Sequence, residues 1–347
     1  MRILCIGDTS SGSTSRHRCD ALSRLGHDIL MSDPEMDFSG HLNNRLLGAL
    51  HYRSGYQLLQ ANVKKWVDDL LRTHSDSPPD LVWVNSGELL GRQAVVQLKR
   101  FGCPVLLYQN DDPTGVRDGH RFDSLLKAIP FYDLCVVRRK ESVDEFRQLG
   151  AQSVHFVWMS YDEIMHRPFD DVEQIPETFR SDVAFIGTWI KGEQRDKFLL
   201  ALIERGLNIS VWGGRWQKAP SWKHLQAFWR GGALSGRDYV AAMQGSKIAL
   251  GFLSKGNRDL HTRRTMEIPY AGGLLCAERT SEHLELYREG EEAVFWSDVD
   301  ECASHCHDLL ANPVKRERIR QAGRQRVLAN KVGNEDICRE ILAQLFP

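Results

Sequence analysis

The chain has 347 residues, more than one hydrophobic core usually supports, so two domains of roughly 150 to 180 residues each are expected. Apolar residues make up 42% of the chain and its charges are mixed, a composition that excludes an intrinsically disordered protein. The net charge of −1 gives no general electrostatic reason to bind nucleic acid or an acidic membrane. Any anion site must therefore be local.

The cysteines and the apolar runs indicate a cellular compartment. The eight cysteines are scattered, and several lie in apolar, strand-like runs such as MRILCIG at residues 1–7. They are interpreted as reduced core thiols. No apolar run approaches the roughly 18 residues of a membrane-spanning helix, and the first residues resemble a strand rather than a signal peptide. We therefore expect a cytoplasmic protein without a transmembrane segment.

Short apolar runs alternate with helical patterns through the first half of the chain. The predicted strands are 2–6, 28–31, 81–85, 105–108, 134–137 and 153–157. The predicted helices between them include 16–25, 58–72, 91–100 and 140–149. Unbroken apolar strands separated by helices indicate a parallel sheet covered on both faces.

The same pattern begins again after residue 180. The predicted strands are 182–186, 208–212, 248–252, 273–277 and 293–296, and the helices between them include 194–204, 236–244 and 281–289. Two such arrays predict an α/β protein with two Rossmann-like, doubly wound domains. We assign 1–168 to the first domain, 179–330 to the second, and 331–347 to a carboxyl-terminal helix that could pack back on the first.

Ligands of doubly wound sheets bind at the carboxyl ends of the strands, and in two facing domains these ends would line one cleft. The first such loop, GDTSSGSTSRHR, contains Gly12 and leads into a helix with Arg16 and Arg18. Free N–H groups at a helix start, with hydroxyls and an arginine, suit an anion or a sugar hydroxyl. The alternative is a plain loop with Ser15 or a neighbour as the N-cap.

Two other loops are candidates at the same strand ends. In YQNDDPTG, Asp111 and Asp112 either form an Asx-type turn before Pro113 or provide a carboxylate for an acceptor or donor hydroxyl. In FIGTWIKGEQR, Gly187 and Thr188 follow a strand, and Lys191 and Arg195 lie where the next helix begins. These cations could hold a diphosphate, since arginine pairs two phosphate oxygens at once, or they could be solvated residues of a helix start.

Several common site types are not supported. Cys302, His305, Cys306 and His307 resemble metal ligands, but no distant pair completes a tetrahedral set and their segment has the pattern of an amphipathic helix. We therefore predict no metal site. The basic run RERIRQAGRQR lacks interleaved aromatic residues and is interpreted as solvated surface, so no nucleic-acid partner is expected. The GxSxG, HExxH and P-loop motifs are absent.

The stretch RDLHTRRTMEIPYAGG at 258–273 has dense charge around Asp259 and Glu267. On one straight helix these acids would be about 12 Å apart, beyond the roughly 5 to 9.5 Å of a glycoside hydrolase pair. Because Pro269 is best tolerated in a first turn, we expect a loop followed by a helix that begins near Thr265. Gly272 or Gly273 should end that helix.

Residues 247–330 of the chain, and more loosely the part before them, resemble the CgeB-like (spore maturation protein type) glycosyltransferases. The resemblance rests on FLSKGNRDLHTRRTMEIPYAGGLLCAERTSEHLELYREGEEAVFW and ANPVKRERIRQAGRQRVL, with STSRHR, the DDP turn and FIGTW in the earlier part. These proteins are related to family 4 glycosyltransferases, which have the GT-B fold. The resemblance implies that fold, with two Rossmann-like domains facing a central cleft.

The larger family has two glutamates in an E-x7-E pattern, and here the pattern is D-x7-E with Asp259 and Glu267. By resemblance, Glu267 would bind the nucleotide ribose, and Asp259 would contact the donor sugar or the positive charge that develops at its anomeric carbon. Arg195, Arg264 and Lys255 match the basic residues that grip the diphosphate.

The implied activity is transfer of a sugar from a nucleoside diphosphate sugar to a carbohydrate, glycolipid or protein acceptor. Retention of configuration is implied, and no metal or other cofactor is needed. Asp259, Arg264 and Asp111 are the candidate catalytic residues. The candidate donor-binding residues are Glu267, Arg195, Lys255, Gly187, Thr188 and Gly12.

Two other functions stay open at this point: a nucleotide-sugar epimerase of the same fold, and a non-catalytic sugar- or nucleotide-binding protein. The segment 41–72 is an apolar and basic helical region that would contact the acceptor or form an oligomer interface. Either a monomer or a homodimer is compatible with the sequence.

Overall fold

The computed structural model describes residues 1–346, which form two compact units. The amino-terminal unit comprises residues 1–158 and the residues from Asn334 onward, and the carboxyl-terminal unit comprises residues 159–333. The sequence-based division into 1–168, 179–330 and 331–347 places the first boundary later than these units do. No helix among the described residues is long and apolar enough to span a lipid bilayer.

The amino-terminal unit is a six-stranded parallel sheet with the strand order β2-β1-β3-β4-β5-β6. Its strands are β1 (Arg2–Ile6), β2 (Asp28–Ser32), β3 (Leu81–Asn85), β4 (Val105–Tyr108), β5 (Leu134–Val137) and β6 (Val154–Phe156). Its helices are α1 (Thr14–Arg24), α2 (Pro34–Asp37), α3 (Ser39–Leu42), α4 (Arg45–Arg53), α5 (Gln60–Thr73), α6 (Arg92–Leu98), α7 (Asp123–Leu126) and α8 (Lys140–Gln148). All residues of β3, β4 and β5 are buried, as expected for a sheet covered on both faces.

The carboxyl-terminal unit is a second six-stranded parallel sheet, with the order β12-β11-β10-β7-β8-β9. Its strands are β7 (Ser181–Ile186), β8 (Ile209–Trp212), β9 (Trp229–Gly231), β10 (Ser246–Gly251), β11 (Leu275–Glu278) and β12 (Val294–Trp296). Its helices are α9 (Arg195–Glu204), α10 (Trp222–Leu225), α11 (Gly236–Gln244), α12 (Arg263–Tyr270), α13 (Ser281–Leu286), α14 (Val299–Ala311) and α15 (Pro313–Ala329). The α/β architecture with two doubly wound sheets is as predicted. The short strand β9, however, was not predicted.

The last helix, α16 (Asn334–Leu345), belongs to the amino-terminal unit and packs on α1. Ile337, Cys338 and Ile341 are buried in the apolar cluster that covers one face of the first sheet. The opposite face of that sheet has its own core, which includes Tyr132 and Phe146. The first sheet is therefore covered on both sides within its own unit.

The helix that contains Glu267 begins earlier than predicted. Its N-cap is Thr262, not Thr265, and Pro269 lies in its last turn rather than its first. A proline there leaves the carbonyl four residues earlier without its helical N–H partner. That carbonyl belongs to Thr265 and accepts a hydrogen bond from the buried Tyr287 hydroxyl at 2.7 Å. The Tyr287 hydroxyl thus takes the place of the N–H that Pro269 lacks. This explains why the helix can begin well before the proline.

The end of the same helix is as predicted. Gly272 has a φ of +81°, the left-handed conformation that favours glycine after a helix. Its N–H donates to the Pro269 carbonyl and the Gly273 N–H donates to the Ile268 carbonyl, which together form a Schellman motif. This sharp stop leads directly into β11.

Candidate functional site

The candidate site begins at the first turn of α12. Thr262 and Thr265 form a reciprocal capping box, in which the Thr262 N–H donates to Thr265 Oγ1 at 3.0 Å. This cap fixes the helix start, and Arg263 and Arg264 follow Thr262 directly. Glu267 comes one turn later on the same helix and is buried.

The loop before α12 is held in place by α13. Thr280 Oγ1 donates to the Leu260 carbonyl at 2.6 Å, and His261 Nδ1 lies 2.5 Å from Glu282 Oε2. His283 Nε2 lies 2.9 Å from Thr265 Oγ1, and burial lowers the pKa of His283 to about 4. A neutral His283 can accept the hydroxyl proton of Thr265 while its Nδ1–H donates to the Glu278 carbonyl. The short helix α13 therefore positions both the loop and the cap.

Glu267 lies among polar side chains of the carboxyl-terminal unit. Its Oε2 accepts the Tyr239 hydroxyl at 2.5 Å, and its Oε1 lies 3.6 Å from His166 Nε2. Burial acts to raise the pKa of Glu267, but His166, Arg263 and Arg264 outweigh it, so the pKa is lowered. The carboxylate is therefore charged at neutral pH and retains acceptor capacity beyond these two partners.

Asp259 lies in the loop between a 3-10 turn at Lys255–Asn257 and α12. It is buried, and its N–H donates to the Ser254 carbonyl at 3.4 Å. Asp259 therefore lies in a loop and Glu267 in a helix, which agrees with the loop followed by a helix expected from the sequence. The rise of a straight helix over eight residues does not measure the distance between them.

Arg195 is the first residue of α9 and is buried at its guanidinium. Its two terminal nitrogens donate to the carbonyls of Thr188 and Leu253, both at 2.9 Å, and one of them lies 2.5 Å from Glu193. Burial is the largest cause that lowers the pKa of Arg195; the Glu193 carboxylate acts to raise it, and the positive charge of Arg264 acts to lower it. Two guanidinium groups therefore lie close enough to repel each other.

The Nε atoms of Arg195 and Arg264 share a second feature. Both are buried N–H donors without a hydrogen-bond acceptor among residues 1–346. A buried donor left unpaired costs about 1–3 kcal/mol, and more when the group is charged. Two such donors on neighbouring cations indicate a position for an anion.

A cavity of about 490 Å³ lies next to Arg195, at the carboxyl ends of β10, β11 and β12. Phe198, Phe252 and Trp296 form its apolar wall, with the rings of Phe198 and Trp296 centred 4.4 Å apart. Lys255 and Glu278 line its polar part, and their charged atoms lie 3.4 Å apart. Glu278 was not predicted from the sequence, because a single acid at the end of an apolar run has no distinctive pattern.

Gly187 and Thr188 follow β7 as predicted, and both backbone groups of Gly187 and the carbonyl of Thr188 have partners within the unit. The Gly187 N–H donates to the Trp212 carbonyl, and the Gly187 carbonyl accepts the Trp216 indole N–H at 2.8 Å. The Thr188 carbonyl accepts from Arg195. Both residues therefore support the position of Arg195 and of the Trp216 ring.

In the amino-terminal unit, the loop after β1 requires a glycine at Gly7 for steric reasons, and the donor contact at Gly12 stays a prediction. A Cβ at Gly12 would contact nothing within 4 Å, whereas a Cβ at Gly7, whose φ is +152°, would lie 2.7 Å from Ser15 Oγ. The N-cap of α1 is Ser13. Arg18 donates hydrogen bonds to the side chains of Asn85 and Asn110. It thus links the end of β3 to the loop that follows β4.

The DDP turn separates its two acids. Asp112 is buried and accepts the Thr114 hydroxyl, which is the turn interpretation, whereas Asp111 Oδ2 lies 3.7 Å from Arg121. Arg121 also lies 2.5 Å from Glu88, whose pKa burial raises to about 7. Glu88 and Arg121 were not found from the sequence, since they are 33 positions apart and meet only in the fold.

The cysteine-rich helix α14 contributes two thiols to a buried group. Cys302 and Cys306 meet Cys276 of β11, with the three sulfur atoms within 4.8 Å of one another. Cys276 was not identified from the sequence as a distant partner of these two cysteines. His305 and His307 lie elsewhere, against Glu301 and the Arg205 carbonyl. Three thiols are one ligand short of a tetrahedral zinc site.

Comparisons with known proteins agree with this architecture. Residues 194–343 match a family model described as glycosyl transferase-like. No curated protein sequence matches the chain.

Among solved structures, sucrose-phosphate synthase from Thermosynechococcus elongatus is 12% identical and has a TM-score of 0.71, with 100% of this chain and 99% of that chain covered. Anabaena Alr3699/HepE in complex with UDP-glucose is 14% identical with a TM-score of 0.67, over 99% and 100% of the two chains. An α,α-trehalose-phosphate synthase (UDP-forming) from Burkholderia xenovorans, in complex with glucose-6-phosphate, is 11% identical with a TM-score of 0.66, over 100% of both chains. The chain therefore has the two-domain α/β fold of GT-B glycosyltransferases, and residues 194–343 of it match a glycosyl transferase-like family.

Proposed function

We propose that this protein is a glycosyltransferase that moves a sugar from a nucleoside diphosphate sugar to an acceptor. The pair Arg195 and Arg264 supports this most directly, because each has a buried Nε–H without a protein acceptor and the charge of Arg264 lowers the pKa of Arg195. A diphosphate would accept both hydrogen bonds and neutralise the repulsion. Solvated helix-start residues, the alternative interpretation, would not leave two donors buried.

The remaining lone pairs of Glu267 make it the proposed ligand of the ribose hydroxyls, since Tyr239 and His166 already orient its carboxylate. Asp259 would contact the donor sugar. Lys255, whose ammonium is mostly exposed at the cavity next to Arg195, would contact the diphosphate.

In the proposed reaction, the bond between the anomeric carbon and the diphosphate oxygen breaks, an acceptor hydroxyl oxygen bonds to that carbon and gives up its proton, and negative charge develops on the leaving diphosphate. Arg195 and Arg264 would stabilise that charge, so removal of one of them should lower kcat by about 10²–10³. We propose that transfer proceeds with retention and without a metal, since these cations can balance the diphosphate. The acceptor side is assigned to the amino-terminal unit with Asp111, and Gly12 remains a proposed donor contact.

We further propose that the protein has a CgeB-like specificity and that its donor sugar is linked to UDP. The HepE structure named above contains UDP-glucose, and the trehalose-phosphate synthase is described as UDP-forming. UDP-glucose should therefore be tested first.

Binding is tested by thermal unfolding with UDP, GDP, ADP, CMP and dTDP sugars. A ligand at one hundred times its Kd should stabilise the protein by about 2.7 kcal/mol. Arg264→Ala should abolish the shift, whereas Arg205→Ala, at the far end of α9 from Arg195 and paired with Asp300, should leave it unchanged. If none of the nucleotide sugars stabilises the protein, the donor-binding proposal fails.

Roles within the site are separated by two further variants. Glu267→Ala should weaken nucleotide binding more than Asp259→Asn, which should mainly lower kcat. The reverse order would overturn the assignment. Turnover of the nucleotide sugar to an isomer without any acceptor would identify an epimerase, and transfer that is lost in EDTA and restored by a divalent cation would contradict the metal-independent mechanism.

A further inference from the structure

The helix α4 of the amino-terminal unit exposes an unusual amount of apolar surface. Leu46 is 82% exposed, Leu50 is 51% exposed and Leu47 is 42% exposed, whereas His51 is the only buried residue of the helix. Leu46, Leu47 and Leu50 are at positions i, i+1 and i+4, so they lie on one face. A helix face with three solvent-exposed leucines indicates an interaction site.

The exposure of this face does not come from a poorly formed helix. Asn44 caps α4, with its Oδ1 accepting from the N–H groups of Leu46 and Leu47 at 3.0 and 3.1 Å. Gly48 packs so closely on α3 that a Cβ there would lie 2.3 Å from the Leu42 carbonyl oxygen. The helix is thus docked through its other side, and the leucines are directed outward.

The chain segment that contains this face carries charge of one sign. Residues 38–67 contain no aspartate or glutamate, although the whole chain has 46 acids and a net charge of −1. The same segment has four cations, Arg45, Arg53, Lys64 and Lys65, all exposed. None of the four has a carboxylate partner within the described part of the chain. Arg45 and Arg53 lie on α4 itself, so its exposed leucines share their helix with two cations, whereas Lys64 and Lys65 belong to α5.

We propose that α4 docks on the surface of an anionic lipid membrane. The leucines would enter the boundary between headgroups and acyl chains, and Arg45 and Arg53 would lie at the level of the lipid phosphates. A second copy of the chain fits less well, because a two-fold interface would bring the same cations of both copies together. This proposal does not depend on the chemistry of the donor site.

The test is sedimentation of the full-length protein with vesicles of phosphatidylcholine alone and with about one third phosphatidylglycerol, the latter to supply negative surface charge. We expect binding to the anionic vesicles only, weakened by salt. Arg45→Ala with Arg53→Ala should lower the partition constant about fivefold per arginine. Leu46→Ser with Leu50→Ser should lower it at least about tenfold. Because these side chains are exposed, the variants should unfold at the wild-type temperature.

A matched control is Val314→Ser, which removes an apolar side chain that is 80% exposed on α15, in the other unit. This variant should bind vesicles as the wild type does. The proposal is overturned if anionic vesicles are not bound, or if the leucine and arginine variants bind them as well as Val314→Ser does. A concentration-dependent dimer that the leucine variant abolishes, without vesicle binding, would instead make this face an interface between copies.

Discussion

Replacing Tyr287 by phenylalanine should destabilise the carboxyl-terminal unit by about 1–3 kcal/mol, because a buried carbonyl would lose the hydroxyl that replaces its missing helical N–H partner. The carbonyl belongs to Thr265, which the Tyr287 hydroxyl reaches at 2.7 Å. Its helical partner would have been the N–H of residue 269, and Pro269 has none. The tyrosine is 1% exposed, so water cannot easily replace the lost hydroxyl.

A double-mutant cycle isolates this interaction. Pro269→Ala restores the missing N–H, so Tyr287→Phe in that background should cost no more than about 0.5 kcal/mol, which gives a coupling energy of roughly 0.5–3 kcal/mol. Tryptophan fluorescence during urea unfolding is a suitable readout, since six of the nine tryptophans lie in residues 159–333.

The control is Tyr132→Phe, which removes a buried hydroxyl that has no partner among the described residues. It should be neutral or stabilising, because removing an unpaired polar group relieves a desolvation cost. Equal costs of Tyr287→Phe with proline and with alanine at position 269 would refute the explanation of how α12 tolerates its proline.

Three further predictions concern stability. His283 has a pKa lowered to about 4 by burial, so only the unfolded chain binds its proton between pH 4 and 6.5, and stability should fall by up to about 3 kcal/mol as the pH decreases through that window. His283→Asn should flatten this acid limb in urea unfolding. Glu88 has a pKa raised to about 7 by burial, so the folded chain binds its proton more tightly than the unfolded chain, and stability should fall as the pH rises from about 4.5 to 7. Glu88→Gln should remove this pH dependence. Gly213→Ala should cost more than about 3 kcal/mol or prevent folding, because its φ is +142° and a Cβ would lie 2.0 Å from the Gly187 oxygen, whereas Gly214→Ala meets open space and should be nearly neutral in the same unfolding assay.

Most of the fold follows from local patterns in the sequence. Strands such as Val105–Tyr108 are unbroken apolar runs, so their burial in a parallel sheet could be predicted. The strand β9 could not, because Trp-Arg-Gly at Trp229–Gly231 is short and is neither continuously apolar nor clearly alternating. It forms a strand because it pairs in parallel with β8 at the edge of the sheet.

The parts of the site that the sequence missed depend on contacts between distant residues. The presence of Pro269 led to a predicted helix start near Thr265, because no local signal shows that Tyr287, 22 positions away, donates to the Thr265 carbonyl. Tyr239 and His166 reach Glu267 from other segments in the same way. Arg195 and Arg264 were found from position and family resemblance, but their unpaired donors appear only in three dimensions.

The repulsion between Arg195 and Arg264 has a practical consequence for handling the protein. If their two cations share one anion, then phosphate or sulfate in a buffer should raise the unfolding temperature and compete with nucleotide at the same time. Apparent affinities measured in phosphate buffer would then be weaker than those measured in a buffer without multivalent anions. The choice of buffer would thus change both the measured stability and the measured specificity of this protein.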